Sequence, residues 1–431
     1  VSGTAWASVA VFTVAYVLIA TERIHRVAAA LGGAAVMLLL GASNAEHAFF
    51  SLRTGIDWNV IFLLLGMMLI VAVLRRTGVF EYIAIWAAKR AGGRPFRVMV
   101  ILVVVTAVAS AALDNVTTVL LVAPVTFLVC ERLGVPAAPF LIAEAMAANI
   151  GGTATLVGDP PNIIIASRAG LSYNDFLVHL APFVLLLIVV FIGLCRLLFR
   201  SSFRYDPKRA EQISALRERD AIRDGRLLIV SFVVLGLVTT AFVLQTVLGL
   251  EPSVVAIIGG LLLLALSRLD ATQVVKDVEW PTLAFFAGLF VMVGALVTTG
   301  VIDQVSRSAA EATQGRLGLT TMVLLWGSAA LSAIVDNIPY VATISPVVAE
   351  MVRADGTSQS RVLWWALTLG ADLGGNATAV GASANVVILG LAERAGQRIT
   401  FWQFTKYGLV VTLVTVALAV PYLWLRYFVF A

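Results

Sequence analysis

Apolar stretches follow one another along nearly the whole 431-residue chain, separated by short polar breaks. An uncharged run of about 17–20 residues is long enough to carry a helix across a bilayer core. Segments 3–20, 58–74 and 180–199, the last with one Arg near its end, read as such spans, and the shorter segment 27–40 is read as a span as well. The first lacks a basic leader, so it is read as a span and not as a cleavable signal. Residues 75–97 are charged and amphipathic, with Tyr82 and Trp86, and are expected to lie at the membrane interface. Segment 98–131 is apolar except at its middle, Asp114-Asn115-Val116-Thr117-Thr118. Each arm is about 12–16 residues, short for a crossing, which predicts a helical hairpin that enters and leaves on one side.

The next apolar segment, 139–168, is interrupted by Asn149-Ile150-Gly151-Gly152-Thr153-Ala154-Thr155-Leu156-Val157-Gly158-Asp159-Pro160-Pro161-Asn162. Proline removes a backbone donor and glycine weakens a helix, so a broken span is expected here. Unwound backbone at membrane depth persists only where it is buried in protein or lines a cavity.

The second half repeats this pattern. Asp57, Gly66, Gly78, Asp114-Asn115 and Pro124 recur as Glu279, Gly288, Gly300, Asp336-Asn337 and Pro346, all at an offset of 222. Asn149, Gly151, Gly152, Thr155, Gly158 and Asn162 recur as Asp372, Gly374, Gly375, Thr378, Gly381 and Asn385 at 223. The expected organisation is repeat 1 at 1–199, a cytoplasmic linker at 200–226 and repeat 2 at 227–431. Repeat 2 has its hairpin at 317–352 and its broken helix at 362–392. Five crossings per repeat turn the second copy upside down, giving an all-α polytopic membrane protein of two inverted repeats. Paired, interrupted segments in matching positions point to a transporter's binding site.

Composition and charge agree. The chain is 60% hydrophobic and 13% charged, with a net charge of +5. In a membrane protein such an excess reflects basic cytoplasmic loops and does not call for nucleic acid. Of the 30 Lys and Arg, all but Arg53, Arg168, Arg307, Arg316, Arg353, Arg361 and Arg426 fall on the side of 75–97 and 200–226 in this topology. That side is therefore cytoplasmic and both termini lie outside. Two cysteines, Cys130 and Cys195, are too few for a thiolate metal cluster or a disulfide framework. The three His show no metal-ligand spacing. No cofactor is expected, and no metal beyond a transported one. No nucleophile–base pairing suggests an enzyme.

Four polar clusters are expected to meet near the midplane: the two hairpin tips and the two breaks. The candidate substrate and ion ligands are Asp114, Asn115, Thr117, Thr118, Asn149, Gly151, Gly152, Thr153, Thr155, Asp159, Asn162, Asp336, Asn337, Asp372, Gly374, Gly375, Asn376, Thr378, Ser383 and Asn385. Half-helix ends and side-chain oxygens at such breaks bind ions and polar solutes. Asp114 and Asp336 are assigned the coupling proton, since an intramembrane carboxylate is costly and marks function. Asp159 and Asp372 serve either as ligands or as helix caps. No Lys or Arg occurs in 98–131, 133–167, 317–352 or 362–393, so an anionic substrate would lack a counter-charge.

The stretches Gly151 to Asn162 and Leu113-Asp114-Asn115-Val116-Thr117-Thr118 resemble the ion transporter superfamily of ArsB/NhaD type. It groups arsenite/antimonite permeases, sodium/proton antiporters, the melanosomal P protein and divalent anion/sodium symporters. The resemblance covers nearly the whole chain. It implies a scaffold and a transport domain moving by an elevator mechanism. In the dicarboxylate symporters the tips read Ser-Asn-Thr. Asp114 and Asp336 stand at the Ser positions here, and Val116 and Ile338 at the Thr positions. The leading expectation is therefore proton-coupled export of arsenite or antimonite across a bacterial or archaeal inner membrane. A sodium/proton antiporter and an anion/sodium symporter are the alternatives. A homodimer and, for an arsenite-type carrier, a cytosolic ATPase subunit are the protein partners this resemblance allows.

Overall fold

The computed structural model describes residues 3–21, 23–203, 205–209 and 218–430. Part of the expected linker, residues 204 and 210–217, lies outside that set. Among the described residues every regular element is helical. Eight helices are long and apolar enough to cross a membrane.

Local chemistry sets the boundaries. Asp57 caps the helix Trp58–Arg75 by accepting from the Val60 N–H, at 3.3 Å, and Asp224 caps Gly225–Val243 from the Leu227 N–H, at 2.9 Å. Gly78 and Gly300, at φ 78° and 77°, turn the chain from a span into the amphipathic helices Val79–Arg90 and Val301–Ala312.

Four helices form a frame by reciprocal pairing. Trp58–Arg75 packs along Pro252–Ser267, where Gly66 admits the Ala256 backbone. Its counterpart Trp280–Thr298 packs along Arg26–Leu39, where a Cβ on Gly288 would stand 2.8 Å from the Ala30 carbonyl carbon. The two counterparts run in opposite directions. Arg76, just past the end of Trp58–Arg75, pairs with Asp277, just before Trp280–Thr298, at 2.7 Å. At the other face, Thr54 lies against Gly294.

Hairpins and broken spans form the second unit. The first hairpin joins Pro95–Ala112 to Asn115–Leu133, and the second joins Leu317–Ser332 to Asn337–Asp355. These arms are 18, 19, 16 and 19 residues; three exceed the expected length of about 12–16, and in the first hairpin the helices continue past the apolar segment into polar residues such as Arg97, Glu131 and Arg132. Arm length therefore does not distinguish a re-entrant hairpin from two crossings. Both open ends of the first hairpin lie at the linker. Phe96 meets Phe203 edge-on with ring centroids 5.2 Å apart, and Gly134 abuts Arg209.

The broken spans are Ala138–Gly152 with Pro160–Ala169, and Val362–Gly374 with Ser383–Arg394. Each half braces its break identically. Ser110 donates to the Ala148 carbonyl at 2.7 Å, and Ser332 to Ala371 at 2.6 Å. Thr155 donates to Ala111 at 2.6 Å, and Thr378 to Ala333 at 2.5 Å. Asn162 donates to the Gly152 and Thr155 carbonyls, and Asn385 to those of Gly375 and Thr378. Buried backbone carbonyls left by the break are thus satisfied, at about 0.5–1.5 kcal/mol per bond. The hairpins then cross over. Asn115–Leu133 packs on Ser383–Arg394, and Asn337–Asp355 on Pro160–Ala169.

Candidate functional site

The crossover brings both hairpin tips to one carboxylate. Asp159 Oδ2 accepts from Asn115 Nδ2 at 3.0 Å and from Asn337 Nδ2 at 3.2 Å. Asn149 extends the network. Its Oδ1 accepts from Asn115 at 3.1 Å, and its Nδ2 donates to Asn376 at 3.0 Å and Asn385 at 3.1 Å. All of these side chains are buried. Neither Asp159 nor Asp372 caps a helix: Asp159 makes no capping bond, and Asp372 lies inside Val362–Gly374 with Thr153 and Asn162 beside it. The alternative of a capping role is thereby removed for both. Among the described residues, Asn115 Oδ1, Asp159 Oδ1 and Asn162 Oδ1 have no partner, and the Asp372 carboxylate has no close hydrogen bond beyond its neighbours Thr153 and Asn162. No ion pair among the described residues involves either carboxylate. An oxygen-rich, uncompensated cluster of this kind suits a proton or a small cation.

Asp114 and Asp336 occupy the wall of an adjoining cavity of about 490 Å³. Asp114 accepts from the Thr117 N–H at 2.7 Å. Asp336 accepts from the Ile338 N–H at 3.0 Å and from the Ser383 hydroxyl. Both therefore cap the second arm of their hairpin while facing the cavity. Thr117 and Ser383 line it too, and Leu64, Met67, Met68 and Phe285 give it apolar walls. Ile24, His25, Arg26 and Glu279 carry it to the face that bears the linker.

Several expected ligands are engaged by the breaks themselves. Thr155, Thr378, Asn162 and Asn385 spend their donors on the loop braces, while Asn385 Oδ1 also accepts from Asn149. Thr153 bonds back to the Asn149 carbonyl at 2.9 Å, and Thr118 is buried off the cavity. Gly151, Gly152, Gly374 and Gly375 provide close packing: Gly151 meets the Ala107 backbone, and a Cβ on Gly374 would stand 2.6 Å from Ala329 Cα. Neither Cys130 nor Cys195 lines the cavity; both are buried.

One premise of the charge reading needs correction. The tip and break segments contain no basic residue, yet Arg26 reaches the site from the frame. Its Nη1 donates to Ser383 Oγ and its Nη2 to Thr282 Oγ1, each at 3.3 Å. The correction is tertiary in origin, since Arg26 and Ser383 are 357 positions apart. The sign of the cavity survives it: one guanidinium stands among three carboxylates, Asp114, Glu279 and Asp336.

A second cavity, of about 370 Å³, lies on the opposite face. Val60, Leu63 and Ile163 line it where Thr282, Phe285 and Val386 line the first, at the same repeat offsets. No hairpin-tip residue borders it.

Antiparallel counterpart spans, two interlocked breaks and a polar cavity open to one face are what a multi-pass membrane transporter requires, and the comparisons with known proteins give that class. Residues 16–370 match the family model CitMHS, described as Citrate transporter. The chain is 56% identical to "Uncharacterized transporter Rv2685" of Mycobacterium tuberculosis, covering 98% of this chain and 99% of that protein. It is 32% identical to the P protein of Mus musculus over 98% of this chain and 60% of that longer protein. A solved structure, the Alcanivorax borkumensis YdaH transporter, matches in fold at TM-score 0.58 with 16% identity, over 91% of this chain and 88% of that one. The chain belongs to the CitMHS citrate transporter family, within the ion transporter superfamily.

Proposed function

We propose that this protein is a secondary active transporter that exports a small neutral polyhydroxy solute of the arsenite or antimonite kind in exchange for protons. The observation that carries the reading is the carboxylate excess around the two hairpin tips. Asp114, Glu279 and Asp336 face the cavity, Asp159 joins the tips behind it, and Arg26 is the one Lys or Arg lining it. A trihydroxide can hydrogen-bond to carboxylate, amide and hydroxyl groups without a counter-charge. A tricarboxylate, the substrate class in the family's name, would meet like charge and pay for it. The coupling proton resides on Asp114 and Asp336, with Asp159 linking their tips.

Movement is of the elevator type in this reading. The frame stays fixed while the hairpins and broken spans slide past it. The tip-lined cavity on the linker face and its tip-free counterpart on the other suit one end-state of such a slide. The linker face is cytoplasmic by its positive charge, and the membrane is the bacterial inner membrane.

A second reading, sodium/proton antiport, is favoured by the unpartnered Oδ1 of Asp159 and by the Asp372 carboxylate, whose neighbours are Thr153 and Asn162. Purified protein in liposomes separates the two. Arsenite, antimonite, sodium, succinate and citrate are each offered under an imposed proton gradient. Gradient-driven arsenite or antimonite flux supports the proposal; gradient-driven sodium flux alone supports the second reading, and citrate or succinate flux alone defeats both.

A further inference from the structure

We propose that Arg26 is a positioning residue that clasps the moving unit to the frame in one end-state only. This rests on the elevator reading above.

Arg26 opens the frame helix Arg26–Leu39, and its guanidinium lies over the Phe285 ring with 5.6 Å to the centroid. One arm of the fork is held within the frame by Thr282. The other crosses to Ser383, the first residue of the moving half-helix Ser383–Arg394. Ser383 in turn donates to Asp336 at the second hairpin tip. Thr282, Arg26, Ser383 and Asp336 thus form one chain from frame to tip. A planar guanidinium with five fixed donors suits such a bridge better than an ammonium.

On the opposite face the frame and the moving unit meet through Ser167, which donates to Asp57 at 2.5 Å, and Arg168, which donates to the Arg53 carbonyl at 2.6 Å, but no arginine stands at the repeat-related place of Arg26. Ala256 meets Gly66 as Ala30 meets Gly288, which sets Pro252 opposite Arg26 in the repeat. Neighbouring Ser253 spends its hydroxyl inside the frame, on Asn59 at 2.9 Å. Pro160 stands at the place of Ser383 and has no donor to offer. A slide of the moving unit away from the linker face breaks the Arg26–Ser383 bond, and the repeat-related pair, Pro252 and Pro160, cannot form an equivalent one. The clasp therefore biases the empty carrier toward the arrangement open to the linker face.

The test uses single cysteines in reconstituted full-length protein lacking Cys130 and Cys195. Val386→Cys reports the linker-face cavity, and Leu156→Cys, 2% exposed, reports the other. Labelling with a membrane-impermeant thiol reagent follows each. Arg26→Gln is expected to lower the rate at position 386 and raise that at 156, by roughly tenfold for one charge-assisted bond. Ser383→Ala, which cuts the same chain from the moving side, is expected to act alike, and Arg26→Lys to retain part of the bias. Rates unchanged in Arg26→Gln and Ser383→Ala, while saturating arsenite still shifts them, overturn the clasp alone. Rates unchanged by either the variants or arsenite overturn the elevator reading, and the clasp with it.

Discussion

Gly152→Ala is the sharpest test of how the first break is built. A Cβ at Gly152 would stand 2.5 Å from the Gly158 carbonyl oxygen, 3.1 Å from its carbon and 3.3 Å from Ser110 Oγ. Two of these are backbone atoms, and Ser110 is held by the Ala148 carbonyl. The loop must open by most of an ångström to restore ordinary contact. Overpacking of that kind costs about 1–3 kcal/mol, or roughly 5- to 150-fold in an equilibrium between closed and opened loop. The repeat supplies its own control. At Gly375 the nearest atoms are the Gly381 oxygen at 3.1 Å, Ala382 Cβ at 3.2 Å and the Asp372 oxygen at 3.3 Å. A shift of a few tenths suffices there, and the φ of −55° at Gly375 is one alanine adopts without strain. Initial rates in proteoliposomes and the thermal midpoint of purified protein are measured for both variants. Gly152→Ala is expected to lose at least tenfold in rate and to melt earlier, and Gly375→Ala to stay within about threefold. Val at either site is expected to block transport. Equal behaviour of the two Ala variants, or a wild-type rate in Gly152→Ala, would refute the reasoning.

Three further outcomes follow from the geometry. Asn337→Ala removes one of two donors to buried Asp159 and is expected to cost about 1–3 kcal/mol in thermal stability and to impair coupling; an unaltered midpoint and an unaltered gradient dependence contradict the bridging role. Lys89→Ala breaks the 2.5 Å pair with Glu218, whose carboxyl the lysine holds below its ordinary range; both residues are partly exposed and the pair is screened by solvent, so the melting midpoint is expected to stay close to the wild-type value, and a clear drop in a melt would show the linker to be a structural clamp. Cysteines at Tyr205 and Asp355 are expected to label from opposite sides of the membrane; labelling from one side contradicts the antiparallel halves.

The repeat was legible because its two copies share unusual residues in register: Asp-Asn at the tips, Gly-Gly at the breaks, and Gly66 with Gly288 in the frame. Those residues recur for physical reasons that each half must satisfy separately. The hairpin tips and breaks were legible for the same reason, and the structure brings all four together. What the sequence could not show was contact between elements far apart in the chain. Arg26 reads as one more positive charge at a span end, and nothing near it announces Ser383 or Thr282. Asp159 sits before Pro160-Pro161, where a cap is the local expectation, yet its partners come from both hairpins. Thr155 and Asn162 read as ligands by residue type, but the broken backbone beside them has carbonyls that need donors first. Arm lengths misled because apolar counting stops at the first charged residue, whereas a helix runs on through it.

The central claim is that the hairpin-tip carboxylates couple proton movement to a neutral solute. Asp114→Asn and Asp336→Asn keep shape and capping while removing the titrating group. The measurement is uptake of arsenite into proteoliposomes with and without an imposed pH gradient, for the wild type and each variant. The gradient is expected to drive accumulation in the wild type and none in either variant, with downhill exchange retained. Both variants accumulating arsenite at the wild-type rate under the gradient would contradict it.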